Sequence, residues 1–349
     1  MRIAQVSPLY ESVPPLLYGG TERIVSYLTE ELVTMGHEVT LFASGDSQTR
    51  ARLVSPCSKG LRLDATYQDH LVHHIIMLEH FFREANNFDI AHFHIDYLHY
   101  PLSSRHSLAH LTTLHGRLDL PDLRTLYSVF PSIPLVSISN SQRKPLPFLN
   151  WQGTVYHGLP RNLYKPRFEH GHYLAFLGRI SPEKRPDLAV KIARRFGMEL
   201  KIAAKVDPAD VEYYQEVIRP LIDGSLVEYV GEISENEKDL FLGNAFALLF
   251  PIDWPEPFGM AMIEAIACGT PIIAFRRGSV PEVMLDGVTG FVVDNVKDAV
   301  EVLKKIPGLH RRLIHQVFEE RFTSRRMTEE YLAIYQKMVG KGNLYLSER

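Results

Sequence analysis

The feature that most constrains this chain is an alternation that runs once, lapses and starts again. A short β-branched run, Arg2 to Ser7, precedes a segment with apolar residues at Ile24, Leu28 and Leu32 that stops at Gly36; a second apolar run follows at Glu38 to Ala43. Spacing by four keeps Ile24, Leu28 and Leu32 on one helix face, so a helix is predicted over Thr21 to Met35 between two buried strands. Strand, helix and strand in that order make a βαβ unit, which implies a parallel sheet covered by helices. Further strands are predicted at Asp89 to His94, Leu111 to His115, Leu135 to Ser139 and Thr154 to His157.

The pattern lapses between Pro160 and Gly171 into Pro, Asn, Lys, His and Gly, and a clean strand at Tyr173 to Leu177 opens a second series. Helices are predicted at Pro186 to Phe196, Pro208 to Ile222, Ser234 to Gly243 and Gly259 to Cys268. Strands are predicted at Glu199 to Ala203, Val227 to Val230, Phe246 to Phe250 and Pro271 to Phe275. The expectation is an α/β chain of two doubly wound, Rossmann-like domains, residues 1–165 and 166–323. In the tail, residues 324–349, Met327, Tyr331, Ile334 and Met338 stand near helical spacing, and that helix can pack on either domain, the N-terminal one included.

At 349 residues the length suits two domains of about 150 residues each. Lys and Arg number 38 against 41 Asp and Glu, a net charge of −3, which provides no basic field for a nucleic-acid backbone. Cys57 and Cys268 stand far apart, outside any metal or disulfide framework, and fit a reducing compartment. Pro8 comes before a signal-peptide apolar region can form, and no apolar run approaches about 18 residues. The expectation is a cytoplasmic protein without a membrane span; peripheral membrane contact and oligomeric state are left open.

Doubly wound sheets bind ligands at the carboxyl ends of their strands, so the loops there carry the candidates. After the first strand, Gly19-Gly20-Thr21-Glu22 stands immediately before a helix, where free backbone N–H groups meet a positive helix end; the plain alternative is a glycine turn with Thr21 as N-cap. The nicotinamide fingerprint Gly-x-Gly-x-x-Gly is missing after that strand, as are His-Glu-x-x-His, a phosphate-binding Walker loop and a Gly-x-Ser-x-Gly elbow. His92 and His94 alternate on one predicted strand and His73 and His74 lie in a predicted helix, but without a matching third ligand they read as polar or strand-end histidines, and no metal site is expected. In the second half, Arg179 and Lys184 fall on the loop that follows Leu177, where two cations can neutralise a diphosphate. Glu256 lies in a Pro-rich turn, and Glu264 sits among Ala261, Ile263, Ala265, Ile266 and Ala267. Burial there penalises a carboxylate unless cations or hydroxyls meet it. Gly259 lets backbone N–H groups approach a ligand at the start of that helix.

Taken together, these segments resemble the retaining glycosyltransferases of family 4 (glycosyl transferases group 1), enzymes of the GT-B architecture in which two Rossmann-like domains face each other across a cleft. The resemblance is carried by Gly19-Gly20-Thr21-Glu22, by Asp89 to His94, by Leu114-His115-Gly116 and by Ser137 to Ser141. It continues with Gly178-Arg179 through Lys184, Glu256 to Glu264, Gly269-Thr270-Pro271 and Pro281 to Gly290. The resemblance implies that Arg179 and Lys184 bind the donor diphosphate in place of a metal, that Glu264 accepts hydrogen bonds from ribose, and that Glu256 holds hydroxyls of the transferred sugar. It further implies that backbone amides around Phe258, Gly259 and Met260 assist, that Gly19 and Gly20 approach the diphosphate, and that His115 lies beside the reacting sugar. The chain departs from relatives at Ala203-Ala204-Lys205, where many carry a glycine-rich turn; Lys205 is counted with the donor-binding residues. It departs again at Arg277-Gly278-Ser279, which leaves Arg276 and Arg277 as phosphate ligands or surface charges.

The implied activity is metal-independent, cofactor-free transfer of a hexose from a UDP- or GDP-linked donor to a hydroxyl of a small-molecule or glycan acceptor. The alternatives are a sugar-nucleotide epimerase of the same architecture, a non-catalytic two-domain ligand-binding protein and a dehydrogenase.

Overall fold

The computed structural model describes residues 1–347, with side chains described through 340. It divides into two compact units: Met1–Pro160 with the chain from Ser324 onward, and Arg161–Thr323.

The first unit is built on seven strands: β1 (Arg2–Val6), β2 (Glu38–Phe42), β3 (Arg52–Val54), β4 (Ile90–Phe93), β5 (His110–Thr113), β6 (Leu135–Ser137) and β7 (Trp151–Thr154). All pair in parallel, in the order β3-β2-β1-β4-β5-β6-β7. The order reverses direction between β1 and β4, the switch point where doubly wound sheets open a crevice at their carboxyl ends. One face buries Phe42, Phe81, Phe88 and Phe93, with Phe42 and Phe93 meeting the Phe81 ring edge-on at centroid separations of 5.5 and 5.2 Å. Helix Ser324–Ser347 belongs to this unit and buries Met327, Tyr331 and Tyr335 completely, one residue per turn along a single stripe.

The second unit carries β8 (Tyr173–Ile180), β9 (Leu200–Val206), β10 (Val227–Gly231), β11 (Ala245–Phe250), β12 (Ile272–Phe275) and β13 (Gly290–Val293). These too are parallel, ordered β10-β9-β8-β11-β12-β13, with the switch point between β8 and β11. Its core gathers Leu174, Phe176, Ile202, Leu249 and Ile273 from the strands with Ala189, Ile192 and Ala193 from helix Pro186–Phe196.

Several elements differ from expectation. The last strand of the first unit lies at Trp151–Thr154 rather than Thr154 to His157, because its ladder with β6 begins by pairing Leu135 with Trp151. The single helix expected over 208–222 is a succession of short turns, a π-helical one at Tyr214–Ile218 and a 3-10 one at Arg219–Leu221 among them. Pro220, with no N–H to donate, cannot continue an α-helix through that segment. Strands β3 and β13 and helices Val296–Leu303 and Arg311–Arg321 have no counterpart in the reading of the sequence. Among the described residues no helix is long and apolar enough to cross a membrane.

Candidate active site

In the second unit, strand β8 runs three residues further than expected, so Arg179 stands on its last turn of pleat rather than on a loop; Lys184 is in the turn that follows. Arg179 pairs in register with Lys205 on β9, which places Lys205 on the strand beside it and not in a loop. The Arg179 guanidinium donates to Glu183 at 2.6 Å, and its Nε is 3.3 Å from an Asp210 carboxylate oxygen. The turn itself is fastened to the end of β11 by the Asp253 amide, which donates to the Glu183 carbonyl at 2.9 Å.

Lys184 Nζ is ion-paired with Glu256 and lies 5.0 Å from the centre of the Trp254 ring, whose indole N–H donates to the same Glu256 oxygen at 2.9 Å. Glu256 is thus buried but answered by a cation and an N–H donor. Glu264, only 3% exposed on helix Met260–Ala267, meets Lys238 of helix Glu235–Gly243, whose Nζ is 2.8 Å from Oε1. That lysine supplies the counter-charge which the apolar surroundings of Glu264 demand.

Gly259 precedes this helix at a φ of 83°. That φ strains any other residue, and a Cβ there would come 2.6 Å from the Met262 methyl, which would have to move, and 3.1 Å from the Phe250 ring. The neighbouring Phe258 carbonyl accepts from the Ser279 hydroxyl at 2.8 Å, and the Ser279 amide donates to the Glu256 carbonyl at 2.9 Å; Met260 opens the helix. Arg276 and Arg277 face Asp294 and Asp253 at 3.3 and 3.4 Å on the surface.

In the first unit, helix Gly20–Thr34 is capped by Gly19, not by Thr21, and no side chain caps it. A Cβ on Gly19 would come 2.7 Å from Pro15, whereas Gly20 has open space at that position. Behind them Glu22 is buried; desolvation, with the charge of Glu11 adding, pushes its carboxyl up to about 7. His115 follows β5, stacks on His157 with ring centres 5.3 Å apart, and is held by burial down at about 3. Its Nε2 is 2.9 Å from His94 Nδ1. His92 is bound by Tyr335 and Thr113, and among the described residues no three His, Cys, Asp or Glu side chains are grouped to hold a metal.

Within the second unit, then, Arg179, Lys205, Lys184, Glu256, Phe258, Gly259, Met260 and Glu264 belong to the ends of β8, β9 and β11 and the helix that follows. Within the first, Gly19, Gly20 and His115 belong to segments that follow β1 and β5. Lys238, Trp254, Ser279 and Asp210 were not singled out from sequence. Trp254 stands two residues before Glu256 in a Pro-rich turn, but nothing local ties Lys238 to a carboxylate 26 positions away.

Residues 18–151 match the Glycosyltransferase Family 4 domain, and residues 165–313 match Glycosyl transferases group 1. A D-inositol 3-phosphate glycosyltransferase of Mycobacterium leprae (strain Br4923) is 30% identical over 190 residues, which covers 49% of this chain and 42% of that protein. The matched segment therefore spans about two fifths of that relative's length. Among solved structures, a glycosyltransferase involved in avilamycin A biosynthesis superposes with a TM-score of 0.76 at 21% identity, covering 97% of this chain and 98% of the other. HepE of Anabaena, solved in complex with UDP and glucose, does so with a TM-score of 0.74 at 14% identity, covering 97% and 100%. At such identities the structural likeness speaks for the fold. With one transferase domain model matched in each half, on doubly wound units of matching strand order, this chain belongs to the family 4, group 1 glycosyltransferases of GT-B fold.

Proposed function

We propose that the chain transfers a hexose from a nucleoside-diphosphate sugar, UDP- or GDP-linked, to a hydroxyl of a small-molecule or glycan acceptor, with retention of configuration and without a metal ion. The observation that carries this is that Arg179 and Lys205 stand in register at the carboxyl ends of β8 and β9, Lys184 in the turn that follows is ion-paired with the buried Glu256, and a second buried carboxylate, Glu264, lies on the helix after β11. Cleaving a glycosyl phosphate leaves negative charge on the nucleoside diphosphate, and fixed cations at the departing oxygens stabilise it most where water is scarce. Arg179 and Lys184 take that role. Glu264 accepts from ribose hydroxyls, Glu256 from the transferred sugar, and the amides of Phe258, Gly259 and Met260 assist, while Gly19 and Gly20 admit the diphosphate and His115 lies beside the sugar.

In the reaction the bond from the sugar's anomeric carbon to phosphate breaks, its electron pair leaving on the phosphate oxygen. The acceptor oxygen bonds to that carbon from the same face, and its proton passes to the departing phosphate. The UDP and glucose bound by HepE and the transferase activity named for the mycobacterial relative favour this reading.

The test is release of nucleoside diphosphate from UDP-glucose or GDP-mannose, with and without a panel of polyol and glycan acceptors. Release that depends on acceptor, with a glycosylated product by mass, is expected. Conversion of the sugar nucleotide to an isomer without acceptor would favour an epimerase instead.

A further inference from the structure

One connected chain of buried polar groups in the first unit ends at His115. Gln5 on β1 and His92 on β4 are paired in register, so their side chains leave the sheet on one face. Tyr335 of the C-terminal helix meets both there: Gln5 Nε2 donates to the Tyr335 hydroxyl at 3.1 Å, and that hydroxyl lies 2.7 Å from His92 Nδ1. His92 Nε2 is 2.7 Å from the Thr113 hydroxyl, which in turn meets Tyr331 at 2.9 Å. Gln5, His92, Tyr331 and Tyr335 are fully buried.

This arrangement dictates where the protons sit. With its NH2 group directed to Tyr335, Gln5 turns its carbonyl oxygen to His94 Nε2 at 2.9 Å. An amide oxygen only accepts, so His94 Nε2 carries the proton. Burial keeps His94 neutral, and a neutral imidazole has a single N–H; its Nδ1 is therefore an acceptor. That acceptor faces His115 Nε2 at 2.9 Å, which makes Nε2 the donor and leaves a lone pair on His115 Nδ1. This Nδ1 is buried and has no hydrogen-bond partner among the described residues. Turning the Gln5 amide over would reverse each step and leave His115 with a buried N–H lacking any acceptor, a worse outcome than an idle lone pair.

We propose that Gln5 and Tyr335 are positioning residues that hold His115 in its Nε2–H tautomer, so that Nδ1 accepts a hydrogen bond from a substrate hydroxyl instead of donating one. The inference rests on the reading that His115 lies beside the reacting sugar. It gives the C-terminal helix a role in the chemistry: through Tyr335 it orients an amide on the first strand, and through that amide two imidazoles.

The test is a long-range proton–nitrogen correlation spectrum of the full chain labelled with 15N-histidine at pH 7, with the His115 ring assigned by its disappearance in His115→Asn. A protonated Nε2 and an unprotonated Nδ1 are expected for His115; a protonated Nδ1 overturns the inference and leaves the transferase reading untouched. Gln5→Leu and Tyr335→Phe should introduce the second tautomer at His115 and lower kcat about tenfold with little change in donor KM. A folded Gln5→Leu chain that keeps the wild-type tautomer overturns the relay. Wild-type turnover in His115→Ala, with the tautomer as expected, removes the substrate contact alone. Should either relay variant fail to fold, the spectrum of the wild-type chain still decides.

Discussion

Lys238 Nζ lies 2.8 Å from Glu264 Oε1, with the two side chains 14% and 4% exposed. Each charge is largely withdrawn from water and answered chiefly by the other, because Glu264 sits on a helix whose neighbouring residues, Ile263, Ala265, Ile266 and Ala267, are all buried. The pair explains how a carboxylate persists in so apolar a stretch.

Removing one partner strands the other. Lys238→Met is expected to lower the unfolding free energy by about 3 kcal/mol in urea titration, and Glu264→Gln added to it should recover most of that loss. Alone, Glu264→Gln should weaken donor binding about tenfold by calorimetry with a smaller effect on kcat, since ribose is held alike before and during reaction.

Arg179→Ala and Lys184→Ala are each expected to lower turnover at saturating donor by at least about a hundredfold while the fold survives, as the proposed stabilisation of leaving-group charge by each requires. Near wild-type kcat in either purified variant would take that residue away from the departing phosphate.

Glu22 makes stability depend on pH in a direction opposite to that of most carboxylates. Burial raises its pKa from 4.5 to about 7 in the folded chain, so the folded state holds the proton more tightly than the unfolded one. Its contribution is fully present below pH 4.5 and is lost as pH rises through about 7. Denaturant titrations of wild type and Glu22→Gln from pH 4.5 to 8 should therefore diverge, the wild type losing up to about 3 kcal/mol relative to the variant. Parallel curves would mean that Glu22 is solvated.

His115, held at about 3 by burial, is expected to remain neutral between pH 5 and 8. Its ring signals should not titrate over that range, and His115→Ala should lower kcat more than donor affinity without removing an inflection near 6.5 from the pH–rate profile.

The product linkage should keep the donor's anomeric configuration, and transfer should persist with excess chelator, because Arg179 and Lys184 can neutralise the departing phosphate themselves. Proton NMR of freshly formed product reads the anomeric coupling. An inverted coupling would exclude attack from the face the phosphate leaves, and activity abolished by chelator would exclude metal-free transfer.

Much of this protein was written locally in its sequence. Parallel strands buried on both faces appear as apolar runs such as Arg2–Val6 and Tyr173–Ile180, and the helices between them carry one apolar stripe, so the doubly wound class follows from short-range pattern. Arg179, Lys184, Glu256 and Glu264 were legible for a related reason: charged residues at strand ends, or within an apolar helix, stand out against their immediate neighbours. Strands β3 and β13 were not: β3 offers only Leu53 and Val54 after a charged Arg52, and β13 opens on Gly290, so neither stands out from a loop.

Tertiary structure decided which charges meet. Lys205 comes beside Arg179 only because β9 joins β8 in register, and Lys238 reaches Glu264 only because two helices on one unit are packed together. The tail's apolar stripe was visible as Met327, Tyr331 and its neighbours, yet an amphipathic face specifies an apolar partner and not which one. Its place on the first unit, and with it the contact of Tyr335 to Gln5 and His92, depends on residues more than 240 positions apart being brought within hydrogen-bonding distance. Periodicity along the chain carries no record of such distances, because sheet order and helix docking are set by how complementary surfaces fit once the elements exist.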